Sequence, residues 1–123
     1  MEQSEEQISW LNTVYKILSS ARFPLNNEKE LQAAIEIRLK DNYANFNREY
    51  RFDQNNIVDF FVNGIAIEVK ISGNAKAIYK QCERYCQFDK VKSLILVTNR
   101  SMGFPKTLNG KACYVLNLGK AWL

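Results

Sequence analysis

The chain has 123 residues, 46% hydrophobic and 24% charged, with a formal net charge of +4. These are the proportions of a globular domain with room for one core, and no apolar run approaches the roughly 20 residues that a membrane-spanning helix needs. There is no histidine, which excludes a histidine base, a His-ligated zinc and any Ser-His or Cys-His pair within the chain.

The basic excess is mild. It permits a polyanionic partner and does not demand one. The opening Met1-Glu2-Gln3-Ser4-Glu5-Glu6 is acidic and lacks the basic and apolar regions of a secretory signal, so a cytoplasmic protein without a membrane partner is expected. Cys82, Cys86 and Cys113 form no Cys-x-x-Cys pair and read as free thiols in a reducing compartment.

Ser4-Glu5-Glu6-Gln7 has the form of a capping box. Ile8, Leu11, Tyr15 and Leu18 then give a helical stripe that ends near Arg22-Phe23-Pro24. Asn27 is a second N-cap with Glu30 three residues on, and Leu31, Ala34, Ile35 and Leu39 carry a helix to about Lys40. Arg48 to Asp53 alternates weakly, as a first strand. Two apolar runs, 57–62 and 65–71, flank Asn63-Gly64, the strongest short-range signal for a two-residue hairpin. Ser72-Gly73-Asn74 breaks the chain, and Ala75 to about Phe88 is helical. Ser93 to Thr98 is a continuous apolar run, as in a buried parallel strand. A loop from Ser101 to Lys111 leads to a last strand from Ala112 to Leu118. The reading is one α/β domain over 1–123: a mixed sheet of four to five strands flanked by helices. It comprises an N-terminal helix (1–24), a core (27–98) and a C-terminal loop and strand (99–123), with a right-handed βαβ crossover from Ile65 to Val97.

Counting out from the turn, Val62 faces Ile65, Phe61 faces Ala66, Phe60 faces Ile67, and Asp59 faces Glu68. The last would be a non-hydrogen-bonded pair, with Cβ atoms roughly 4.5–5.5 Å apart. Lys70 shares their face, and the other face is wholly apolar. Two opposed carboxylates repel each other, and a divalent cation between them removes the penalty; oxygen donors suit Mg²⁺ or Mn²⁺. The bland alternative is that both acids are merely outward polar residues. Phosphodiester hydrolysis needs an activated water and neutralised phosphoryl oxygens, which carboxylate-held Mg²⁺ supplies. Asp59 and Glu68 would hold the ion, with the Val69 carbonyl as an extra oxygen. Lys70 would hold or deprotonate the attacking water, or stabilise developing negative charge.

Asp59 followed by Glu68-Val69-Lys70 on the adjoining strand resembles the PD-(D/E)xK nuclease superfamily, in particular its compact viral-type replication and repair nucleases and archaeal junction resolvases. Val58 stands where that family has its proline. The resemblance spans Asn27 to Thr98 and implies a restriction-endonuclease-like core and a Mg²⁺-dependent nuclease, with Mn²⁺ able to substitute. It also implies a metal-proximal role for Glu28, with Glu30 as the fallback, and a site role for the Gln-x-x-x-Tyr element formed by Gln81 and Tyr85. Each has a plainer reading. Glu28 suits the first turn of any helix, Gln81 could be an exposed helical residue, and Tyr85 could be core. Lys80, Arg84 and Tyr85 are the nucleic-acid-contact candidates, with Lys29, Arg38 and Lys76 as further phosphate contacts or as ordinary solvated surface.

The function expected is DNA hydrolysis in repair, recombination or replication, on branched DNA or free ends, with a homodimer if junctions are cut. The rivals are a non-catalytic nucleic-acid-binding domain on the same fold and an enzyme acting on a small phosphate ester. The chain has no Gly-rich phosphate loop to favour the latter.

Overall fold

The computed structural model describes residues 4–121; the acidic start at Met1–Gln3 and the last two residues of the C-terminal segment lie outside it. Helix α1 (Glu5–Ser19) is capped by Ser4, whose Oγ accepts the Gln7 N–H at 3.1 Å. Helix α2 (Glu28–Asn42) is capped by Asn27, whose Oδ1 accepts the Glu30 N–H at 2.8 Å. Both start with acids in the first turn, which the helix dipole favours. Leu11, Val14 and Leu18 of α1 meet Leu31, Ile35 and Leu39 of α2 over one face of the sheet. Arg38 donates to the Ile17 carbonyl at 3.1 Å and to Ser20 Oγ at 2.9 Å. It therefore ties α2 to the end of α1 rather than standing free for a phosphate.

The sheet is mixed and has six strands in the order β1-β2-β3-β4-β6-β5. They are β1 (Asn47–Asp53), β2 (Asn56–Val62), β3 (Ile65–Lys70), β4 (Ser93–Thr98), β5 (Thr107–Leu108) and β6 (Lys111–Asn117). Strands β1, β2 and β3 are antiparallel neighbours, whereas β3, β4 and β6 run parallel. Helix α3 (Ala75–Tyr85) connects β3 to β4 and covers the opposite face from α1 and α2, through Ile78, Cys82 and Tyr85. The domain is thus α/β, with helices on both faces. Among the described residues no helix is long and apolar enough to cross a membrane.

The strand count exceeds the expected four to five because of β5, which forms a hairpin with β6 inside the stretch read as loop. Its turn is Asn109-Gly110, at φ 52° and 75°, close to the 50° and 80° of Asn63-Gly64. Both turns need the left-handed conformation at two successive residues, which Asn and Gly adopt at least cost. Gly64 is required for a second reason: a Cβ there would lie 2.9 Å from Lys92 Cγ. Its carbonyl accepts the Lys92 N–H at 2.7 Å, fastening the turn to the start of β4. Helix α3 stops at Tyr85, short of Phe88, because Gln87 and Phe88 turn back onto the Arg84 and Tyr85 carbonyls, three residues earlier. A short α4 (Leu118–Ala121) follows β6 directly.

The β1–β2 ribbon turns over midway. Phe60 packs into the α1–α2 core, yet Val58, two residues earlier, packs into the α3 core. Strand β1 does the same: Arg48 lies over the Phe60 ring, and Tyr50 stacks on Phe61 in the α3 core. Along a regular strand, residues two apart share a face. The reversal falls at Glu49 and at Asp59 opposite it, between the pairs Arg48–Phe60 and Tyr50–Val58. Glu49 has φ 53°, a left-handed conformation that costs a non-glycine residue about 1–2 kcal/mol.

Candidate metal centre

The hairpin pairs as the sequence predicts for Val62–Ile65, Phe61–Ala66 and Phe60–Ile67. The fourth pair, Asp59 with Glu68, is not a ladder pair. Beyond Phe60 the ribbon has turned over and β2 parts from β3. The two carboxyls bridge the fork instead. Asp59 Oδ2 accepts the Val69 N–H at 2.7 Å, and Glu68 Oε1 accepts the Asp59 N–H at 3.3 Å. Each carboxyl is thus oriented through one oxygen by a backbone amide. The Val69 carbonyl leaves its strand on the same edge as that N–H, so the third expected oxygen also faces the fork.

Helix α3 covers this face, so the acids do not look outward to bulk water. Glu68 is 2% exposed and Asp59 is half-buried. Lys70, at the end of β3, brings its Nζ to 3.5 Å from Glu68 Oε2 and keeps 27% of its side chain exposed. Tyr85 is fully buried, and its hydroxyl donates to the Ile57 carbonyl at 2.7 Å and lies 3.4 Å from Glu68 Oε2. Gln81 Nε2 donates to that hydroxyl at 2.9 Å. Gln81 therefore reaches the carboxylates through Tyr85, one turn along α3. Tyr85 itself is turned inward, so the contact with nucleic acid expected of it is not one the folded chain offers. Lys80 is exposed on the outer side of α3, whereas Arg84 gives its Nε to Asn56 Oδ1 at 3.2 Å.

Glu28 comes to the same end of β3 from the first turn of α2. Its Oε1 accepts the Ile71 N–H at 3.1 Å, and its negative charge helps to raise the Asp59 pKa. It stands at the margin of the site with a carboxylate already hydrogen-bonded. Glu30 accepts from Asn26 and takes no part.

Burial and the neighbouring Asp59 carboxylate push Glu68 up to about 8 from an ordinary 4.5; Lys70 opposes the shift and is outweighed. Desolvation also raises Asp59, against the pull of the Val69 N–H and of Lys70. Without a cation, Glu68 keeps its proton up to about pH 8, which spares the pair from carrying two charges. Burial and the charge of Glu68 keep the Cys82 and Tyr85 side chains protonated. All three cysteines are free, buried thiols.

Among the described residues no three acidic or cysteine side chains converge on one point. The protein offers two carboxylates and one carbonyl, all hard oxygen donors. Mg²⁺ commonly binds through one or two carboxylates and keeps several waters, so this donor set fits it; a dehydrated Ca²⁺ or a thiolate-bound zinc it does not fit.

The left-handed Glu49 had no signal in the sequence, since glutamate is not a residue that favours that region. Comparison with known proteins finds no matching family model, no matching curated protein and no matching solved structure.

Proposed function

We propose that this chain is a Mg²⁺-dependent DNA nuclease built on a restriction-endonuclease-like core. The observation that carries the reading is the pairing of buried Glu68 with half-buried Asp59, with Lys70 Nζ 3.5 Å from Glu68 Oε2. Two acids beside each other and largely shielded from water cost stability when both are ionised, and a cation bound between them removes that cost. A purely binding module has no use for that cost, and a polar surface pair would not need covering by α3.

Asp59, Glu68 and the Val69 carbonyl would hold the ion. When bound, Mg²⁺ supplies charge neutralisation at the phosphoryl oxygens and acidifies a coordinated water. Lys70, with its Nζ 3.5 Å from Glu68 Oε2, would orient or deprotonate the attacking water, or balance developing negative charge. Tyr85, itself fixed by Gln81 and the Ile57 carbonyl, sets its hydroxyl 3.4 Å from Glu68 Oε2 and closes that side of the carboxyl. Glu28 adds negative potential at the margin. Lys80 would contact the DNA backbone and contribute affinity without choosing sequence.

The experiment is Mn²⁺ titration of the wild type, Asp59→Ala, Glu68→Ala and Lys70→Ala by calorimetry, alongside cleavage of labelled DNA. The first two variants should lose both binding and cleavage. Lys70→Ala should bind metal and fail to cut. Metal binding that survives both carboxylate substitutions would dismiss this site.

A further inference from the structure

We infer that Glu49 is a positioning residue for Asp59 and acts through its backbone rather than through its carboxylate. The inference deepens the metal-site reading above and rests on it for the metal alone; the mechanical coupling stands on geometry.

Glu49 lies opposite Asp59, in the gap between the pairs Arg48–Phe60 and Tyr50–Val58. The chain on either side of it is held to opposite faces of the sheet. Arg48 gives Nη1 to Glu36 at 2.8 Å and Nη2 to Gln32 at 3.2 Å, both on α2, and its guanidinium lies 5.5 Å from the centre of the Phe60 ring. Tyr50 stacks on Phe61 at 4.8 Å and takes Lys90 Nζ on its hydroxyl at 3.0 Å, on the α3 side. One residue between these anchors must reverse the strand, and Glu49 does so at φ 53°.

The consequence falls on the facing strand. β2 must turn over with its partner, so its regular pairing with β3 ends at Phe60–Ile67. In a continued ladder the Asp59 side chain would stand perpendicular to the sheet and the Val69 N–H would bond a β2 carbonyl. In the turned ribbon, Asp59 Oδ2 takes the Val69 N–H at 2.7 Å and the Asp59 N–H turns to Glu68 Oε1 at 3.3 Å. The left-handed residue on β1 is thus what brings the Asp59 carboxyl into the fork. Strain of this kind persists where the surroundings over-determine it, and the anchors on each side of Glu49 supply that determination.

The test compares wild type, Glu49→Gly and Glu49→Val. Amide hydrogen exchange at Asp59 and Val69 is followed by NMR in EDTA, and Mn²⁺ affinity is measured by calorimetry. Glycine adopts the left-handed conformation freely and has no carboxylate, whereas valine resists that conformation. Glu49→Gly should keep both amides protected, keep Mn²⁺ affinity, and melt no lower than wild type. Glu49→Val should lose about tenfold or more in Mn²⁺ affinity and lose protection at Val69, while Ile95 in β4 stays protected. Unchanged Val69 exchange and Mn²⁺ binding in Glu49→Val would overturn the inference. So would loss of Mn²⁺ binding in Glu49→Gly, because the carboxylate would then be the active part. If Glu49→Val does not fold, Glu49→Gly decides: a lower melting temperature or lost Mn²⁺ affinity overturns the inference. If wild type binds no Mn²⁺ while Val69 exchange still separates the two variants, the metal reading falls and the positioning role stands.

Discussion

Asp59 Oδ2 accepts the Val69 N–H at 2.7 Å in the stretch where β2 and β3 have already parted. A carboxyl thereby replaces a ladder carbonyl, and its acceptor function is separable from its charge. In metal-free protein Asp59→Asn keeps an oxygen for Val69 and removes a charge from beside Glu68, so it should be at least as stable as wild type. Asp59→Ala leaves that N–H without its partner, which costs about 1–3 kcal/mol. Urea unfolding of both variants in EDTA checks the order. Mg²⁺ should then stabilise wild type and neither variant.

Glu68 makes metal-free stability depend on pH in a direction opposite to that of most acids. The folded protein holds its proton up to about pH 8, against an ordinary value of 4.5. The native state therefore binds more protons than the unfolded chain between those values, and stability falls as pH rises through that window. Melting temperatures in EDTA should decline from about pH 5 to pH 8 for wild type, beyond any trend shared with Glu68→Gln. Equal slopes for the two proteins would place the Glu68 proton elsewhere.

The same proton must leave when a cation enters. Below about pH 8 Mn²⁺ affinity should rise with pH, by up to about tenfold per unit where one proton is displaced per ion. Calorimetry in two buffers of different ionisation enthalpy at one pH counts the protons released. A count of zero at pH 6 would mean that the ion does not displace the Glu68 proton.

Lys80 is exposed on the outer side of α3, whereas Arg38 is tied to α1 and Arg84, though exposed, gives its Nε to Asn56. Lys80→Ala should therefore weaken duplex DNA binding and flatten its salt dependence by about 0.9 in log–log slope. The cleaved sequences should not change. Fluorescence anisotropy from low to moderate salt, in Ca²⁺, measures this without cleavage.

Both helix caps and the Asn63-Gly64 hairpin were legible because each depends on a few adjacent residues acting on their own backbone, and β4 because its run 94–97 is apolar throughout. Three hairpin pairs followed from counting outward from the turn. The fourth did not, because the turning-over of the ribbon is set by anchors far apart in sequence: Arg48 on α2 and Tyr50 on Phe61. The β5 strand was legible in principle. Asn109-Gly110 is the same turn signal as Asn63-Gly64, but Thr107-Leu108 is too short to show alternation. That Gln81 reaches the carboxylates through Tyr85 is i,i+4 geometry. That Tyr85 faces inward follows from how α3 lies on the sheet, which spacing alone leaves open.

The proposed metal-dependent nuclease activity of this site is tested most directly by cleavage of a panel of labelled linear, flapped, forked and four-way-junction DNAs by wild type and Glu68→Gln, in Mg²⁺, Mn²⁺ or EDTA. Wild type should cut at least one substrate in Mg²⁺ and Mn²⁺ and none in EDTA, and Glu68→Gln, folded by circular dichroism, should cut none. Cleavage that persists in EDTA, equal cleavage by Glu68→Gln, or no cleavage of any DNA by wild type in either metal would contradict it.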